Sequence, residues 1–425
     1  MTVSATASSR LSPAVLMGIV GAVTAPVVGL LLGRVDVITV GLPLALWVVH
    51  AFRVDAAAVA VEIHKRTSDD PGWVHDDIRV EPAAEIVEVS VVQSDRRRRR
   101  VFVAGGARIR ASSRALHSGP LRSVEAAARA LAADGGRLGP ASESVAVVHA
   151  VPAAAPRLTR MPVAPRLTGL HGSHEGAKPG QGGDFRDIHP FAPGDELRRV
   201  DWKATARAAR RPGELLIRRT NALSDASAVI VLDTADDLGS VVSTWGTTDL
   251  RRSGVTSLDH ARSAARAIAE ATIAQGDRIA FHTLAIDGRT VRSGGGRRHL
   301  ARVLSEIASS GRAGDDSRFR RTPPVPHGSI IHVLSVFFDG AAAEIALRWR
   351  AVGHRVVAVD VLPELDLRRL NLQRELALQV LLAERQDMLR RLEESGVEVV
   401  RWDGDHGRGW AALSRARVRA GGASR

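Results

Sequence analysis

The sequence predicts a multidomain chain with three parts: an N-terminal transmembrane helical hairpin, a small all-β, sandwich-like domain, and a C-terminal α/β domain with a doubly wound sheet. Three observations carry this reading. Two apolar segments open the chain, short strand-like runs follow, and apolar strands then alternate with helices towards the C-terminus. The 425 residues correspond to about three domains at roughly 150 residues each. Apolar residues make up 45% and charged residues 25%, a globular composition.

The hairpin occupies residues 1–53, with helices expected over about 11–33 and 36–52. Residues 11–33 carry no charge, and about 20 apolar residues cross a bilayer. The second stretch, 37–52, is shorter and spans with Val35 and some tilt or local thinning. Pro26 and Pro43 would kink these helices, which membranes tolerate. A secretory signal has an apolar core of about 7–15 residues, shorter than this one and not followed by a second segment. Arg10 precedes the first helix, Arg53, Lys65 and Arg66 follow the second, and Arg34 in the turn is offset by Asp36. The positive-inside rule then expects a multi-pass protein of the cell membrane, with both termini and the soluble domains in the cytoplasm. The lipid bilayer is thus one expected partner. Cysteine is absent, which agrees with a reducing compartment and excludes disulfides, thiolate zinc sites and cysteine nucleophiles.

Residues 54–165 read as the β-rich domain with its linker. Strands are expected at 58–63, 86–92, 101–103, 107–112 and 145–151, and the alanine-rich run 123–133 reads as a helix. Residues 152–165, rich in Pro, Ala and Arg, read as a connection. The run of arginines at 96–100 reads as a solvated turn.

Lys+Arg is 59 against Asp+Glu at 46, a formal charge of +13. Only Lys65, Lys178 and Lys203 are lysines, and arginine is spread over every segment, as high-GC codon usage produces. With no tyrosine and 4% aromatics, stacked readout of RNA bases has little to build on, and no specific nucleic-acid partner is expected. Arginines near residues 53–66 suit contact with anionic lipid.

Residues 166–222 form a dense polar motif. It contains Asp184, Arg186, Asp187, His189, Pro193, Gly194, Asp195, Glu196, Arg198, Arg199, Asp201, Trp202, Lys203 and Arg207. Mixed charge at this density predicts an ordered network, with Asp195 and Asp201 spaced to meet Arg186, Arg198 or Arg199. His189 beside Asp187 or Asp195 has the chemistry of a general base pair, but no nucleophile or oxyanion donor set accompanies it. The glycine-rich residues 180–183 lack the Gly-Lys-Ser/Thr ending of a phosphate loop.

Residues 223–425 read as the α/β domain. Strands are expected at 228–232, 278–284, 289–292, 330–338, 356–361 and 397–402. Helices are expected at 258–274, 298–309, 341–352, 365–394 in two pieces, and 410–418. Ligands of such sheets bind beyond the carboxyl ends of the strands, where Asp233 stands.

The run GGDFRDIHPFAPGDELRRVDWKATAR closely resembles the signature of the domain-of-unknown-function-58 family. The resemblance implies a membrane hairpin, a β-sandwich-like segment and a von Willebrand factor A-like domain, which together cover nearly the whole chain. It also implies a MoxR-type AAA+ ATPase as partner. In von Willebrand A domains an Asp-x-Ser-x-Ser loop binds a divalent cation. Here the loop reads Asp233, Thr234, Ala235, Asp236, Asp237, so Ala235 cannot ligate and Asp237 can. Val336 stands where a later aspartate is expected, with Asp339 three residues on. Asp233 and Asp237 are therefore the candidate metal ligands, for Mg2+ if any cofactor binds.

The leading expectation is a membrane-anchored, cytoplasm-facing adaptor rather than an enzyme, with no catalytic residue assigned. The alternatives are a metal-assisted hydrolase using Asp233, Asp237 and His189, and a basic binder of nucleic acid or anionic lipid.

Overall fold

The computed structural model describes residues 9–413 except 68–69, 83, 85, 95–96, 160, 163, 165–173, 248–250, 287, 314–321, 403–408 and 411. The described part of the chain has a multidomain layout of two units. The first holds residues up to 116 and 120–149, and the second holds 117–119 and the chain from 150 onward.

The first unit opens with α1 (Pro13–Leu31) and α2 (Val35–Arg53). Ser12 caps α1 and Pro13 takes its first position, where the missing amide costs nothing. Gly33, at φ +63, makes the turn between the helices. Glycines let the two helices approach closely. A Cβ at Gly18 would lie 2.4 Å from the Trp47 ring, and one at Gly41 would lie 2.6 Å from Pro26. Both helices are long and apolar enough to cross a membrane. Their apolar side chains face outward, with Met17 73% and Leu31 81% exposed.

Among the described residues, seven strands of six or more residues follow: β1 (Ala60–Arg66), β2 (Trp73–Glu81), β3 (Ile86–Gln93), β4 (Arg98–Val103), β5 (Arg108–Arg114), β6 (Gly119–Leu131) and β7 (Val145–Val151). One antiparallel sheet has the order β1-β2-β5. In the other, β3 lies between β4 and β6, and β7 also pairs with β6. Val61, Ile78 and Val80 of the first sheet share a core with Val87, Val89, Val124 and Ala126 of the second, so the unit is a sandwich.

Three expectations fail here. Residues 123–131 are strand, not helix. Val124, Ala126, Ala128 and Ala130 are buried in alternation against β3, and this two-residue period overrides the helical preference of alanine. Strand β2 was not expected, because its inward Asp76 breaks the apolar alternation. That carboxylate is buried and accepts from Ser123 Oγ at 2.6 Å and pairs with His149 Nε2 at 2.8 Å. Arg98 to Arg100 lie in β4 rather than a turn.

The second unit begins with a long antiparallel pair, β8 (His174–Pro190) and β9 (Leu216–Ser224), joined through α3 (Trp202–Ala208). Its sheet comprises β10 (Ser227–Asp233), β11 (Arg278–Leu284), β12 (Thr290–Gly294), β13 (Ile330–Ser335), β14 (Arg355–Asp360) and β15 (Glu398–Arg401). The order is β12-β11-β10-β13-β14-β15, parallel except for β12. The helices are α4 (Ser257–Ala274), α5 (Arg297–Ser309), α6 (Ala341–Ala351) and α7 (Leu372–Glu394). Side chains of α4 and α5 fill the core on one face of the sheet, and those of α6 and α7 fill the other. Burial on both faces explains the continuous apolar strands.

In this unit, two boundaries differ from expectation by more than two residues. Residues 365–371 are not helical, and α7 is one helix whose first turn Asn371 caps through Arg374 N. Strand β13 stops at Ser335, because Phe337 turns the chain with φ +56. Of the expected last helix, residues 410, 412 and 413 are helical, and 411 and 414–418 lie outside the described residues.

Candidate functional site

The strand order reverses between β10 and β13. The chain leaves β10 through α4 to β11, and returns through α5 to β13 on the other side. At such a point the carboxyl ends of the two strands open a crevice. Asp233 ends β10 and Ser335 ends β13. The two meet directly. Ser335 Oγ donates to Asp233 Oδ2 at 2.6 Å, while Phe337 N donates to Ser335 Oγ at 2.9 Å. The other oxygen, Oδ1, accepts from Ala235 N at 3.1 Å. Burial pushes the Asp233 carboxyl up to about 6, against the pull of the Ser335 and Ala235 hydrogen bonds, and the charges of Asp339 and Asp236 add to the rise.

A second buried contact lies beside the first. Asp360, at the end of β14, is ion-paired with Arg385 of α7, and both side chains are under a tenth exposed. Arg385 also donates to Val336 O at 2.7 Å and lies over the Phe338 ring. Asp360 Oδ1 accepts from Leu362 N at 3.0 Å. The crevice is therefore stitched by two carboxylates, a hydroxyl and a guanidinium. A cleft of about 430 Å³ lies along the same edge, with Ser240, His260, Glu364 and Arg401 as its polar lining.

The expected metal ligands do not converge. Asp233 is turned to Ser335 and Ala235 N, and Asp237 Oδ1 faces Leu258 N at the start of α4, at 3.4 Å. Ala235 supplies no side-chain oxygen, and Ser335 rather than Val336 is the residue that faces Asp233. Among the described residues no group of three His, Asp or Glu could hold a metal ion. The donor set does not fit Mg2+, which requires several oxygens in octahedral geometry.

The polar motif is ordered by a different logic from the one expected. Its acidic groups serve the backbone. Residues 192–195 form a turn, with Pro193 at its second position and Gly194 at φ +98, and Asp195 Oδ2 accepts from Ala192 N at 2.8 Å. Asp201 caps α3 through Ala204 N at 2.9 Å. Glu214 accepts from Arg210 N at 2.6 Å. Arg198 pairs with Glu196 instead of Asp195 or Asp201, and Arg199 lies 3.6 Å from the same Glu196 carboxylate. Arg186 lies 4.0 Å from Asp187. His189 is exposed and its Nδ1 is 2.9 Å from Pro190 O, so the ring is bound to its neighbour's carbonyl rather than to a carboxylate. Lys203 and Arg207 are exposed on α3. Leu197 and Trp202 are 66% and 68% exposed. The motif thus shows basic and apolar groups outward. The side chain of Asp184 lies outside the described residues, and residues 180–183 belong to β8 rather than to a loop at a helix start.

Sequence reasoning missed a third cluster. Asp259 sits in the first turn of α4, in a capping box with Thr256. It accepts from His117 Nδ1, Ser118 N and Ser118 Oγ, each at 2.7 Å. Burial raises its carboxyl, but the His117 and Ser118 hydrogen bonds outweigh burial and hold it down at about 2. Arg262, one turn on, donates to Ser118 O and Ser310 O, both at 2.9 Å. Gly119, at φ +94, leaves no room for a Cβ beside that guanidinium. Ser253 Oγ lies 3.4 Å from His117 Nε2, completing a Ser-His-Asp sequence of contacts. Ser253 is only 5% exposed, and its Oγ also donates to Gly254 O at 3.3 Å. The cluster acts as a clamp on residues 117–119.

A two-stranded polar motif leading into a doubly wound α/β sheet, in a chain that opens with two membrane-length helices, defines the class of protein. Residues 187–374 match the family model described as "Protein of unknown function DUF58", which supports placing the chain in that family. The chain is also similar to the uncharacterized proteins Mb1516 of Mycobacterium bovis and Rv1480 of Mycobacterium tuberculosis. Each is 45% identical over 56 residues, which is 13% of this chain and 18% of the relative. The chain thus spans less than a fifth of the length of the curated relatives it matches. Among solved structures, the thioester domain of the Enterococcus faecium TIE86 protein aligns with 27% of this chain and 52% of its own. Its identity is 7% and its TM-score 0.15, so it carries no weight for fold or function.

Proposed function

We propose that this chain is a membrane-anchored adaptor whose α/β unit binds a protein partner through the carboxyl edge of its sheet and the neighbouring polar motif. Helices α1 and α2 cross the cell membrane, and the positive-inside rule puts both termini and the soluble units in the cytoplasm. The partner implied by the family resemblance is a MoxR-type AAA+ ATPase. The strand order supports a von Willebrand A-like reading of the sheet, a fold that presents this edge to ligands.

The observation that carries the proposal is the state of the crevice. Asp233 is engaged by Ser335 and Asp360 by Arg385, so the strand ends hold each other instead of presenting free catalytic or metal-binding groups. What faces outward at the motif is Leu197, Trp202, Lys203 and Arg207. A basic and apolar surface of this kind suits protein recognition. The test is capture of a purified MoxR-type ATPase by the full-length chain in nanodiscs. Trp202→Ala and Asp339→Arg, both at exposed positions, should each weaken capture at least tenfold. Undiminished capture by both variants would remove this surface from the interface.

A further inference from the structure

The hairpin and the sandwich meet at one end of the sandwich strands. Arg10–Leu11 pairs antiparallel with Arg137–Leu138, which is antiparallel to β6 at Leu131, so the chain enters α1 running in the direction of β6. Residues 134–137 clasp both helices there. Trp47 Nε1 donates to Asp134 O at 3.1 Å, Arg137 Nε to Ala51 O at 3.0 Å, and Ser12 N to Gly136 O at 2.9 Å. Trp47 lies six residues inside the end of α2 at Arg53, about 9 Å of helix. The loop therefore flanks the last two turns of a membrane-length helix. Ladder register brings a second loop to the same end. Leu131 pairs with Ile86, and Val87 pairs with Val103, so the turn after β4 is level with the end of β6. Residues 101–107, VFVAGGA, carry no charge and stand between the arginine run 96–100 and Arg108. Phe102 is 62% exposed, the most of any large apolar side chain described in the sandwich, and Leu11, Ile86 and Val101 at this end are also exposed. Phe102 and Arg100 stand opposite Glu88 and Ser90 on the outer face of the sheet, about 7 Å apart along the strand. Arg129 stands opposite Glu88 on its other side.

We propose that residues 101–107 dip into the headgroup layer of the leaflet from which the hairpin emerges, with Phe102 on its apolar side and the Arg98 and Arg100 guanidiniums on lipid phosphates. This rests on the membrane reading of α1 and α2 given above. The occupant of the exposed end is the bilayer that the chain's own anchor enters, because residues 134–137 hold this end of the sandwich against the helices. The order of groups along β4 matches the order of layers in a leaflet. An uncharged tip comes first, an aromatic ring next, and guanidiniums about 7 Å behind it. The polar layer of one leaflet is roughly 5–8 Å deep. Arginine stems lie along apolar surface while their heads reach the phosphates, and anionic lipid adds to the attraction. The nearby acids on this sheet do not cancel the charge. Glu88 is paired with Arg129 at 2.5 Å and lies 3.8 Å from Arg100, and Asp55 is paired with Arg137 at 2.7 Å. Glu81 ends β2 in the other sheet, beside the exposed Arg108 that follows the tip.

The chain has no cysteine, so single cysteines carry a bimane fluorophore without background. Full-length protein is reconstituted in phosphatidylcholine–phosphatidylglycerol vesicles containing nitroxide-labelled lipid. Bimane at Ala104→Cys, on the tip, and at Val20→Cys, an exposed position of α1, should both be quenched by the lipid nitroxide. Bimane at Leu116→Cys, exposed at the opposite end of the sandwich, should not be. With iodide on both sides of the bilayer, Leu116→Cys should be quenched at least fivefold more than Ala104→Cys. Arg98→Glu with Arg100→Glu should lower lipid quenching at Ala104→Cys at least twofold and leave Val20→Cys unchanged. The inference is overturned if Ala104→Cys is as open to iodide as Leu116→Cys while Val20→Cys is quenched by lipid, because the hairpin then spans and the sandwich stands clear of the bilayer. Charge reversal without effect on Ala104→Cys would overturn the contact of the guanidiniums with phosphate. If Val20→Cys is itself untouched by the lipid nitroxide, the membrane reading falls and this inference falls with it.

Discussion

Neutralising Asp233 should stabilise the α/β unit, because this carboxylate is ionised at a cost to the fold. Its folded value is raised from 3.8 to about 6, which corresponds to about 3 kcal/mol of unfavourable ionisation. A raised carboxyl binds its proton more tightly in the folded than in the unfolded chain. The penalty is therefore complete above about pH 6, shrinks as pH falls through 6, and is gone below 3.8. Asp233→Asn resembles the neutral form and keeps a donor and an acceptor for Ser335 and Ala235 N. Urea titration of the full-length protein in detergent reads this out through Trp245, Trp349, Trp402 and Trp410, all in the second unit. At a slope of about 3 kcal/mol per molar urea, the variant should unfold about 1 M later than the parent near pH 8. The gap should close near pH 4. A variant less stable than the parent at pH 8, with a gap independent of pH, would show that the carboxylate is held ionised by a cation. The sealed crevice would then be wrong.

Other outcomes follow from the same geometry. Arg385→Met strands the buried Asp360 carboxylate and should cost about 3–5 kcal/mol, whereas Arg385→Met with Asp360→Asn should recover much of the loss in the same urea assay. Burial, with a contribution from the Arg355 charge, holds the His332 imidazole down at about 3. A depressed base favours the unfolded chain in acid, so stability should fall as pH drops below 6.5. In an Asp233→Asn background, His332→Phe should flatten that fall between about pH 6 and 4. Asp259 contributes in the usual carboxylate sense, being held at about 2 from 3.8, which is worth about 2 kcal/mol above pH 4. Asp259→Asn should therefore lower the urea midpoint at neutral pH, and hydrogen exchange should rise at residues 117–119. Added Mg2+ should leave the midpoint of the parent protein unchanged.

The parts of the fold that were legible are those whose burial is uniform along the chain. Strand Arg278–Leu284 was expected with its exact bounds and Ser227–Asp233 to within one residue, because both faces of that sheet are covered and the apolar run has no gaps. Strand Gly119–Leu131 was misread because alanine supplies helical propensity locally, while its two-residue burial period is imposed by a neighbouring sheet. The site divides in the same way. Asp233 stood out at the end of an apolar strand. Ser335 lies 102 residues away from it, and Arg385 lies 25 residues from Asp360, so neither contact leaves a local pattern. Asp360 ends VVAVD much as Asp233 ends AVIVLD, and that parallel was the one available sign of the second carboxylate. In the polar motif, local spacing favoured ion pairs. Turn and cap geometry instead gave the acids to backbone amides, leaving the cations outside.

The most direct test of the adaptor reading is crosslinking in the native membrane, followed by affinity purification of the full-length chain and mass spectrometry. Recovery of a MoxR-type AAA+ ATPase, joined at positions near Asp339 or within residues 185–207, is the expected result. Recovery of envelope proteins alone, with no ATPase peptide attached to this edge or to the motif, would contradict it.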